Sequence, residues 1–178
     1  VLEAARGCPN LKAIINVTTD KCYENDNRVQ GYKENDVIGG YDPYSSSKGC
    51  SELVTSCYRR SFLQEKKVGL ASVRSGNVIG GGDWSDDRLI PDILRAFELN
   101  EPVIVRNPNA TRPWQHVLEP LSGYLILSQK LYNDFKEYSQ SWNFGPDDKD
   151  VRPVNWILDH MVSSWPDASW NIDNSVTP

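Results

Sequence analysis

The sequence predicts an α/β fold in which a parallel sheet is joined to a second, smaller lobe. Residues 12–19 and 68–74 are short apolar runs rich in β-branched side chains, which is typical of buried parallel strands. A helical segment over residues 44–65 separates them. A glycine-rich stretch over residues 75–83 then leads to shorter strands and helices, which predict the second lobe.

The first predicted strand runs directly into a polar cluster, Thr18, Thr19, Asp20 and Lys21. In α/β sheets, ligands bind beyond the carboxyl ends of the strands. The cluster is therefore a candidate for chemistry, although polar turn residues after a strand are the simpler interpretation when it is taken alone.

The central helix is predicted to begin at Pro43, with Asp42 as its N-cap, after a polar loop over residues 24–40. Small residues near its start would let it approach a sheet or a ligand closely. Its packing face is predicted from apolar positions near helical spacing, which are Leu53, Val54, Cys57 and Phe62.

Tyr44 and Lys48 are four residues apart, so they lie one turn apart on one face of this helix. A lysine ammonium near a phenol favours the phenolate and lowers a pKa that starts near ~10. Such a tyrosine can take a proton from a substrate hydroxyl at neutral pH. A solvated helix face is the alternative interpretation of this pair.

The remaining elements are shorter. The run Gly80-Gly81-Gly82 lacks the G-x-G-x-x-G spacing of a dinucleotide-binding turn, so it predicts a flexible connection. Helices are predicted over residues 87–99, 120–132 and 154–165, and strands over residues 102–105, 114–117, 141–144 and 169–172.

The composition excludes several classes of partner. The formal net charge is −5 and there is no long basic run, so nucleic acid and anionic membranes are not expected as partners. Four cysteines form no C-x-x-C pair and only two histidines occur, which does not favour a zinc site. The cysteines are interpreted as small apolar side chains that fill the protein interior, in a reducing cytoplasm.

Motifs in a fixed order carry a resemblance to a known family. A strand end with Thr19-Asp20 precedes the Tyr44-x-x-x-Lys48 helix, and a second strand ends in the sequence RSGNVIG at residues 74–80. The order continues with RLIP at 88–91, RPWQHV at 112–117 and WNFG at 142–145. The chain resembles the extended short-chain dehydrogenase/reductase family, in its nucleotide-sugar branch. Residues 19–23, 40–44 and 80–84 are most similar to the 4,6-dehydratases of that branch.

The resemblance implies a domain arrangement. Residues 1–78 would be the C-terminal part of a partial doubly wound, Rossmann-like NAD-binding domain. Residues 79–178 would form the smaller substrate-binding lobe, with residues 114–133 returning to the first domain. The sequence lacks a starting Met and the glycine-rich turn that holds the NAD pyrophosphate in this family. We therefore expect a fragment of a larger cytoplasmic, homo-oligomeric enzyme, with weak or no NAD binding and uncertain activity of its own.

The family mechanism assigns roles to the first polar cluster and the central helix. Tyr44 would remove the proton of the sugar 4-hydroxyl, and Lys48 would also contact the nicotinamide ribose, so both would bind cofactor. Thr19 would hydrogen-bond the 4-oxygen, and Asp20 would protonate the departing 6-hydroxyl. Related dehydratases have a glutamate as base where this chain has Lys21, which could be a base or a cation that stabilises the enolate.

Four further positions resemble residues that contact the nucleotide sugar. Asn77 and Arg112 match residues that bind the diphosphate, for which the planar guanidinium is suited. Arg88 and Arg106 are weaker candidates for phosphate or nucleoside contact. A structural asparagine at a strand end and exposed surface arginines are the alternatives.

Two other functions compete with a 4,6-dehydratase. One is a nucleotide-sugar epimerase or reductase of the same family, against which Asp20 and Lys21 argue because epimerases need no acid and base for water loss. The other is a non-catalytic fragment that binds a nucleotide sugar or associates with itself through an uncovered sheet edge.

Overall fold

The computed structural model describes residues 1–26, 28 and 30–173. Its contacts divide the chain into two compact units. Unit 1 comprises Val1–Gly76 and Val117–Gly145, and unit 2 comprises Asn77–His116 and Pro146–Pro178. The assignment of NAD binding to one region and substrate binding to another stays a prediction.

The described residues form both helices and strands along their whole length. The helices are α1 (Leu2–Arg6), α2 (Pro43–Tyr58), α3 (Leu89–Glu98), α4 (Leu118–Asn133), α5 (Phe135–Tyr138) and α6 (Val154–Ser163). The strands are β1 (Ala13–Val17), β2 (Gly69–Ser75), β3 (Val78–Ile79), β4 (Val103–Val105), β5 (Thr111–Arg112), β6 (Gln115–His116), β7 (Ser141–Phe144), β8 (Arg152–Pro153) and β9 (Trp170–Ile172). Among the described residues, no helix is long and apolar enough to span a bilayer.

Unit 1 contains a three-stranded parallel sheet in the order β1-β2-β7. The register pairs Ile15 with Ala71 and Val73 with Trp142. Strand β2 is central, and every residue from Gly69 to Arg74 is buried, which explains its nearly unbroken run of small and apolar residues. The predicted α/β class with a parallel sheet is confirmed.

Two apolar clusters hold the sheet of unit 1. Leu127 and Leu131 of α4 pack against Ala71 and Val73 of β2. A second cluster is formed by Leu63, Val68 and Leu70. Leu63 belongs to a π-helical turn, Arg59–Leu63, that follows α2 directly. The predicted helix over residues 44–65 is therefore confirmed, with a change of winding in its last part.

The face of α2 that packs on the sheet differs from the prediction. Leu53 and Val54 are 63% and 49% exposed, whereas the buried residues of α2 are Ser45, Gly49, Glu52 and Thr55. The reason is that α2 approaches the neighbouring backbone closely and forms polar contacts with the sheet. A Cβ at Gly49 would lie 2.9 Å from the carbonyl oxygen of Gly39, and Asn16 of β1 donates to Thr55 at 2.6 Å.

Unit 2 consists of paired short strands and two packed helices. Strands β3 and β6 pair in parallel, as do β4 and β9, whereas β5 and β8 are antiparallel. The predicted helices at 87–99 and 154–165 are confirmed as α3 and α6. They form one apolar core with β4, built from Ile93, Phe97, Val103, Val105, Val154, Ile157 and Leu158.

The interpretation of the cysteines as buried apolar side chains is wrong for three of the four. Cys8, Cys50 and Cys57 are exposed, and Cys22 is buried. Cys50 and Cys57 lie on α2 outside its buried positions, because the buried face of that helix is small and polar rather than apolar.

The core of unit 1 gives a matched pair of variants on one helix. Leu131 is fully buried and Leu125 is 74% exposed, both on α4. We expect Leu131→Ala to lower the free energy of unfolding by about 2–5 kcal/mol, because it leaves a cavity against β2. Leu125→Ala should change it by less than about 0.5 kcal/mol. Urea denaturation followed by circular dichroism measures both, and equal losses would contradict the packing described.

Candidate active site

A buried ion pair lies between α2 and the sheet. Glu52 and Arg74 are both 3% exposed, and Nη2 of Arg74 donates to Oε2 of Glu52 at 2.7 Å. Glu52 also accepts hydrogen bonds from the hydroxyl groups of Thr18 and Ser72, the latter at 2.7 Å. A buried charge is tolerated only when it is paired and hydrogen-bonded, and here both conditions are met.

The other side of Arg74 ties a surface loop to the sheet. Its Nη1 donates to the hydroxyl oxygen of Tyr23 at 2.7 Å and to the carbonyl oxygen of Glu34 at 3.1 Å. The Tyr23 hydroxyl donates to Oδ1 of Asn143 in β7 at 2.7 Å. Asn143 in turn donates to the carbonyl oxygen of Tyr32 at 2.9 Å. The loop that precedes α2 is thus fixed to β2 and β7 by a continuous polar network.

Burial and pairing act in opposite directions on the charges of this network. Burial disfavours the Glu52 carboxylate, but hydrogen bonds from Arg74, Thr18 and Ser72 outweigh it, so the pKa of Glu52 lies below its ordinary value. Burial also disfavours the Arg74 cation, yet the bonds to Glu52 and Tyr23 raise its pKa above the ordinary value. Burial raises the pKa of Tyr23, which therefore stays neutral.

The start of α2 presents Tyr44 and Lys48. Asp42 caps the helix by accepting from the backbone N–H groups of Tyr44 and Ser45 at 2.9 and 3.1 Å. The Tyr44 side chain is 51% exposed. Nζ of Lys48 lies 5.7 Å from the centre of the Tyr44 ring, and Nζ of Lys21 lies 5.8 Å from it. Two ammonium groups therefore lie near the ring of one accessible phenol.

Thr19 and Asp20 follow β1, where a short helical turn begins. Thr19 is buried and its hydroxyl donates to Oδ1 of Asp20 at 3.1 Å. The backbone N–H of Lys21 donates back to the Thr19 hydroxyl at 3.4 Å. A Cβ added at Gly76, just after β2, would overlap the Asp20 carboxylate. The absence of a side chain at position 76 leaves room for that carboxylate.

One hydrogen bond connects the strand end to the helix. Thr18, the residue before Thr19, is bound through its hydroxyl to Glu52 and through its backbone N–H to the carbonyl oxygen of Val73 at 2.8 Å. Glu52 is one turn after Lys48 on the same helix. The structure thus brings Thr19, Asp20, Lys21, Tyr44 and Lys48 together in unit 1; their chemical roles stay predictions.

The four residues predicted to bind substrate lie in unit 2. Asn77 has a left-handed backbone (φ 48°) immediately before β3. Arg88 precedes α3, Arg106 follows β4, and Arg112 lies in β5. All three arginine side chains are exposed, and Arg112 donates to the carbonyl oxygen of Thr111 at 3.0 Å. Exposed guanidinium groups are available to an anion, and their contact with a substrate stays a prediction.

Sequence reasoning missed Glu52 and Arg74 as residues that hold the site. Two signals were available. Glu52 falls on the same side of α2 as the small residues Ser45 and Gly49, which are spaced for a helix face. Arg74 is the one charged residue in the apolar run over residues 68–74, and a charge inside a buried strand needs a partner.

A curated protein matches the entire chain. Over 184 aligned residues, the chain is 56% identical to CDP-glucose 4,6-dehydratase of Salmonella typhimurium. The chain is a homologue of CDP-glucose 4,6-dehydratase. The alignment covers 100% of this chain and 51% of the relative, so the chain spans about half the length of the curated relative it matches. No family model matches the chain.

Several solved structures share the fold of this chain, although their sequence identity to it is low. dTDP-glucose 4,6-dehydratase of Bacillus anthracis, in complex with NAD, superposes with a TM-score of 0.78 at 18% identity over 97% of this chain and 53% of that one. UDP-glucuronic acid 4-epimerase of Bacillus cereus, with UDP-glucuronic acid and NAD, gives 0.77 at 16% identity over 96% and 51%. The resemblance to nucleotide-sugar enzymes with a Rossmann-like sheet is confirmed.

Two of the described residues, Tyr44 and Lys48, are the ones predicted to bind NAD. Tyr44 is half exposed and Lys48 is partly exposed beside it, so a phenol and an ammonium are open to the ribose next to the nicotinamide. The 178 residues contain no G-x-G-x-x-G turn for the pyrophosphate. Contact of Tyr44 and Lys48 with the nicotinamide end of the cofactor stays a prediction.

The Glu52 network predicts a defined pH dependence of stability. The folded pKa of Glu52 lies below the ordinary 4.5, so its contribution is complete above about pH 4.5 and is lost as the pH falls through the folded value. Glu52→Gln should lower the free energy of unfolding at pH 7 by about 3–5 kcal/mol, because Arg74 is left without a carboxylate. The difference from wild type should shrink as the pH falls below about 4.5.

Urea denaturation at several pH values measures this difference. The control is Glu3→Gln, which removes an exposed pair with Arg6 at 2.7 Å and should cost at most about 1 kcal/mol. A Glu52→Gln deficit that stays constant down to pH 3 would show that Glu52 does not titrate in the direction given.

Proposed function

We propose that the protein containing this chain dehydrates CDP-glucose to CDP-4-keto-6-deoxyglucose with tightly bound NAD. The observation that carries the proposal is the placement of two ammonium groups near the ring of Tyr44, next to the strand end with Thr19 and Asp20. The 56% identity to CDP-glucose 4,6-dehydratase over the whole chain supports the choice of substrate.

The cofactor supplies the redox chemistry: when bound, NAD would accept hydride from the sugar C4 and return it to C6, with no net oxidation. Tyr44 and Lys48 would hold the ribose at the nicotinamide end. We propose weak or no NAD binding to these 178 residues alone, since they contain no pyrophosphate-binding glycine turn.

Tyr44 would be the base that removes the proton from the sugar 4-hydroxyl. Its phenol is half exposed, and the ammonium groups of Lys48 and Lys21 lie 5.7 and 5.8 Å from the centre of its ring, so two cations are near the charge that would develop as the proton leaves. Thr19 would turn its hydroxyl from Asp20 toward the sugar 4-oxygen, whose charge changes during the reaction. These two side chains would fix the 4-carbon of the sugar.

Elimination of water needs an acid at the 6-hydroxyl and a group that acts on C5. Asp20 would donate the proton to the departing hydroxyl, from a position bounded by the backbone at Gly76. The 4-keto group acidifies the C5 hydrogen. Lys21 would then either take the C5 proton or, as a cation, stabilise the enolate.

Recognition of the nucleotide is proposed for unit 2. Asn77 and Arg112 would bind the diphosphate, and Arg88 and Arg106 would contact phosphate or cytidine, since guanidinium groups suit phosphate oxygens. We also propose that the protein is a homo-oligomer, because α2 leaves Leu53 and Val54 exposed.

Asp20→Asn separates oxidation from dehydration. In the enzyme that contains this chain, supplied with NAD and CDP-glucose, we expect a 4-keto hexose that retains its 6-hydroxyl. The 6-deoxy product should form about 10²–10⁴-fold more slowly, because the departing hydroxyl has lost its acid. Mass spectrometry distinguishes the two sugars, because the 4-keto hexose is heavier than the 6-deoxy product by one oxygen atom. Tyr44→Phe is the matched comparison and should block both products. Normal water loss in Asp20→Asn would exclude the proposed dehydratase mechanism.

Lys21→Arg distinguishes the two roles of Lys21. Arginine keeps the positive charge but cannot act as a base at neutral pH. If Lys21 stabilises the enolate, Lys21→Arg should retain activity within about tenfold, while Lys21→Met should lose about 10²-fold or more. If Lys21 is the base, both variants should lose activity equally. The readout is the rate of 6-deoxy sugar formation, with Lys12→Arg as a control on an exposed lysine.

A further inference from the structure

A cavity of about 300 Å³ opens in unit 1 at the amino end of β2. The Asp20 cluster lies at the other end of that strand, beside Gly76. The proposed catalytic residues do not reach the cavity. Its walls come from the π-helical turn after α2, the start of β2 and helix α5, and are formed by Arg59, Gln64, Val68, Phe135, Lys136 and Ser139.

Arg59 has a donor that is left unused. Its Nε donates to the carbonyl oxygen of Leu70 at 2.8 Å, which fixes the guanidinium plane at the cavity. Its Nη2 is buried and has no hydrogen-bond partner among the described residues. Buried polar groups in native proteins are nearly always paired, with protein, water or an ion. Because Arg59 lines the cavity, a ligand that enters the cavity can supply the missing acceptor.

The charges around the cavity favour an anion. Two of its six lining residues, Arg59 and Lys136, are cationic, and none carries a carboxylate. Glu52 is the acidic group whose charge acts on Arg59, and it is already bound to Arg74. Asp134, next to α5, is used as a cap and accepts from two backbone N–H groups of that helix. No acidic side chain in the described part of unit 1 neutralises Arg59 across the cavity.

The remaining lining residues complete a small site. The Ser139 hydroxyl oxygen accepts from the backbone N–H of Leu70 at 3.2 Å, so its own proton can be donated into the cavity. Val68 and Phe135 provide apolar walls. Guanidinium, ammonium and hydroxyl donors against an apolar wall match the requirements of a phosphate or carboxylate group on a small molecule.

We propose that this cavity binds a small oxyanion, a phosphate or carboxylate group, through Arg59, Lys136 and Ser139. The Arg59 fork would contact two oxygens of the anion, with Lys136 supplying the second positive charge. The site is separate from the proposed dehydratase centre and does not depend on that proposal.

Titration with inorganic phosphate at constant ionic strength tests the proposal on this chain. The probe is the side-chain Nε–H signal of Arg59 together with the backbone amide of Ser139, observed by nuclear magnetic resonance. We expect saturable shifts at both. Arg59→Gln should raise the phosphate Kd at least tenfold. Arg60→Gln should leave it unchanged, because Arg60 is the adjacent exposed arginine of the same turn and does not line the cavity. A parallel titration with acetate identifies whether phosphate or carboxylate is preferred.

Lys136→Gln keeps the test decisive if Arg59→Gln does not fold. Lys136 is exposed, so its replacement should preserve the fold, and we expect a phosphate Kd at least threefold higher. Linear, non-saturating shifts in the wild-type chain would overturn the proposal. Equal weakening by Arg59→Gln and Arg60→Gln would overturn it as well, since that result describes a general surface charge effect.

Discussion

Unit 1 is organised by the need to satisfy two buried charges. Glu52 comes from the middle of α2 and Arg74 from the end of the central strand, and neither is stable inside the protein without the other. Glu52 also accepts from Thr18 after β1 and Ser72 in β2, and Arg74 also donates to Tyr23 in the loop before α2, although its Nε has no partner among the described residues. The position of α2 on the sheet is therefore determined by directional hydrogen bonds, which fix its rotation and register.

This constraint explains why the residues proposed to act on substrate meet at one place. Thr19 and Asp20 follow Thr18 directly in the sequence, and Glu52 follows Tyr44 and Lys48 on α2. The bond between Thr18 and Glu52 joins these two sets directly. A purely apolar interface would tolerate small sliding of α2, which would alter the distances between the phenol, the ammonium groups and the carboxylate.

Much of the fold could be predicted because strands and helices follow local composition and period. The spacing of Tyr44 and Lys48 also predicted their contact, since helix geometry alone fixes it. The packing face of α2 could not be obtained that way. Leu53 and Val54 suggested an apolar face, but Gly49 and Glu52 define the real one through partners distant in sequence. Such pairings depend on tertiary contacts that residue period does not encode.

The glycine at position 76 has a consequence for the dynamics of the acid proposed at Asp20. The backbone at Gly76 lies against the Asp20 carboxylate and leaves few rotamers open to it, also when Thr19 turns toward a substrate. Its conformational entropy is therefore lost once, when the chain folds, and does not have to be lost again each time a substrate arrives. A larger residue at position 76 would displace the carboxylate, and a more open site would allow it more rotamers. Glycine at this position therefore keeps the proposed proton donor oriented before substrate binds.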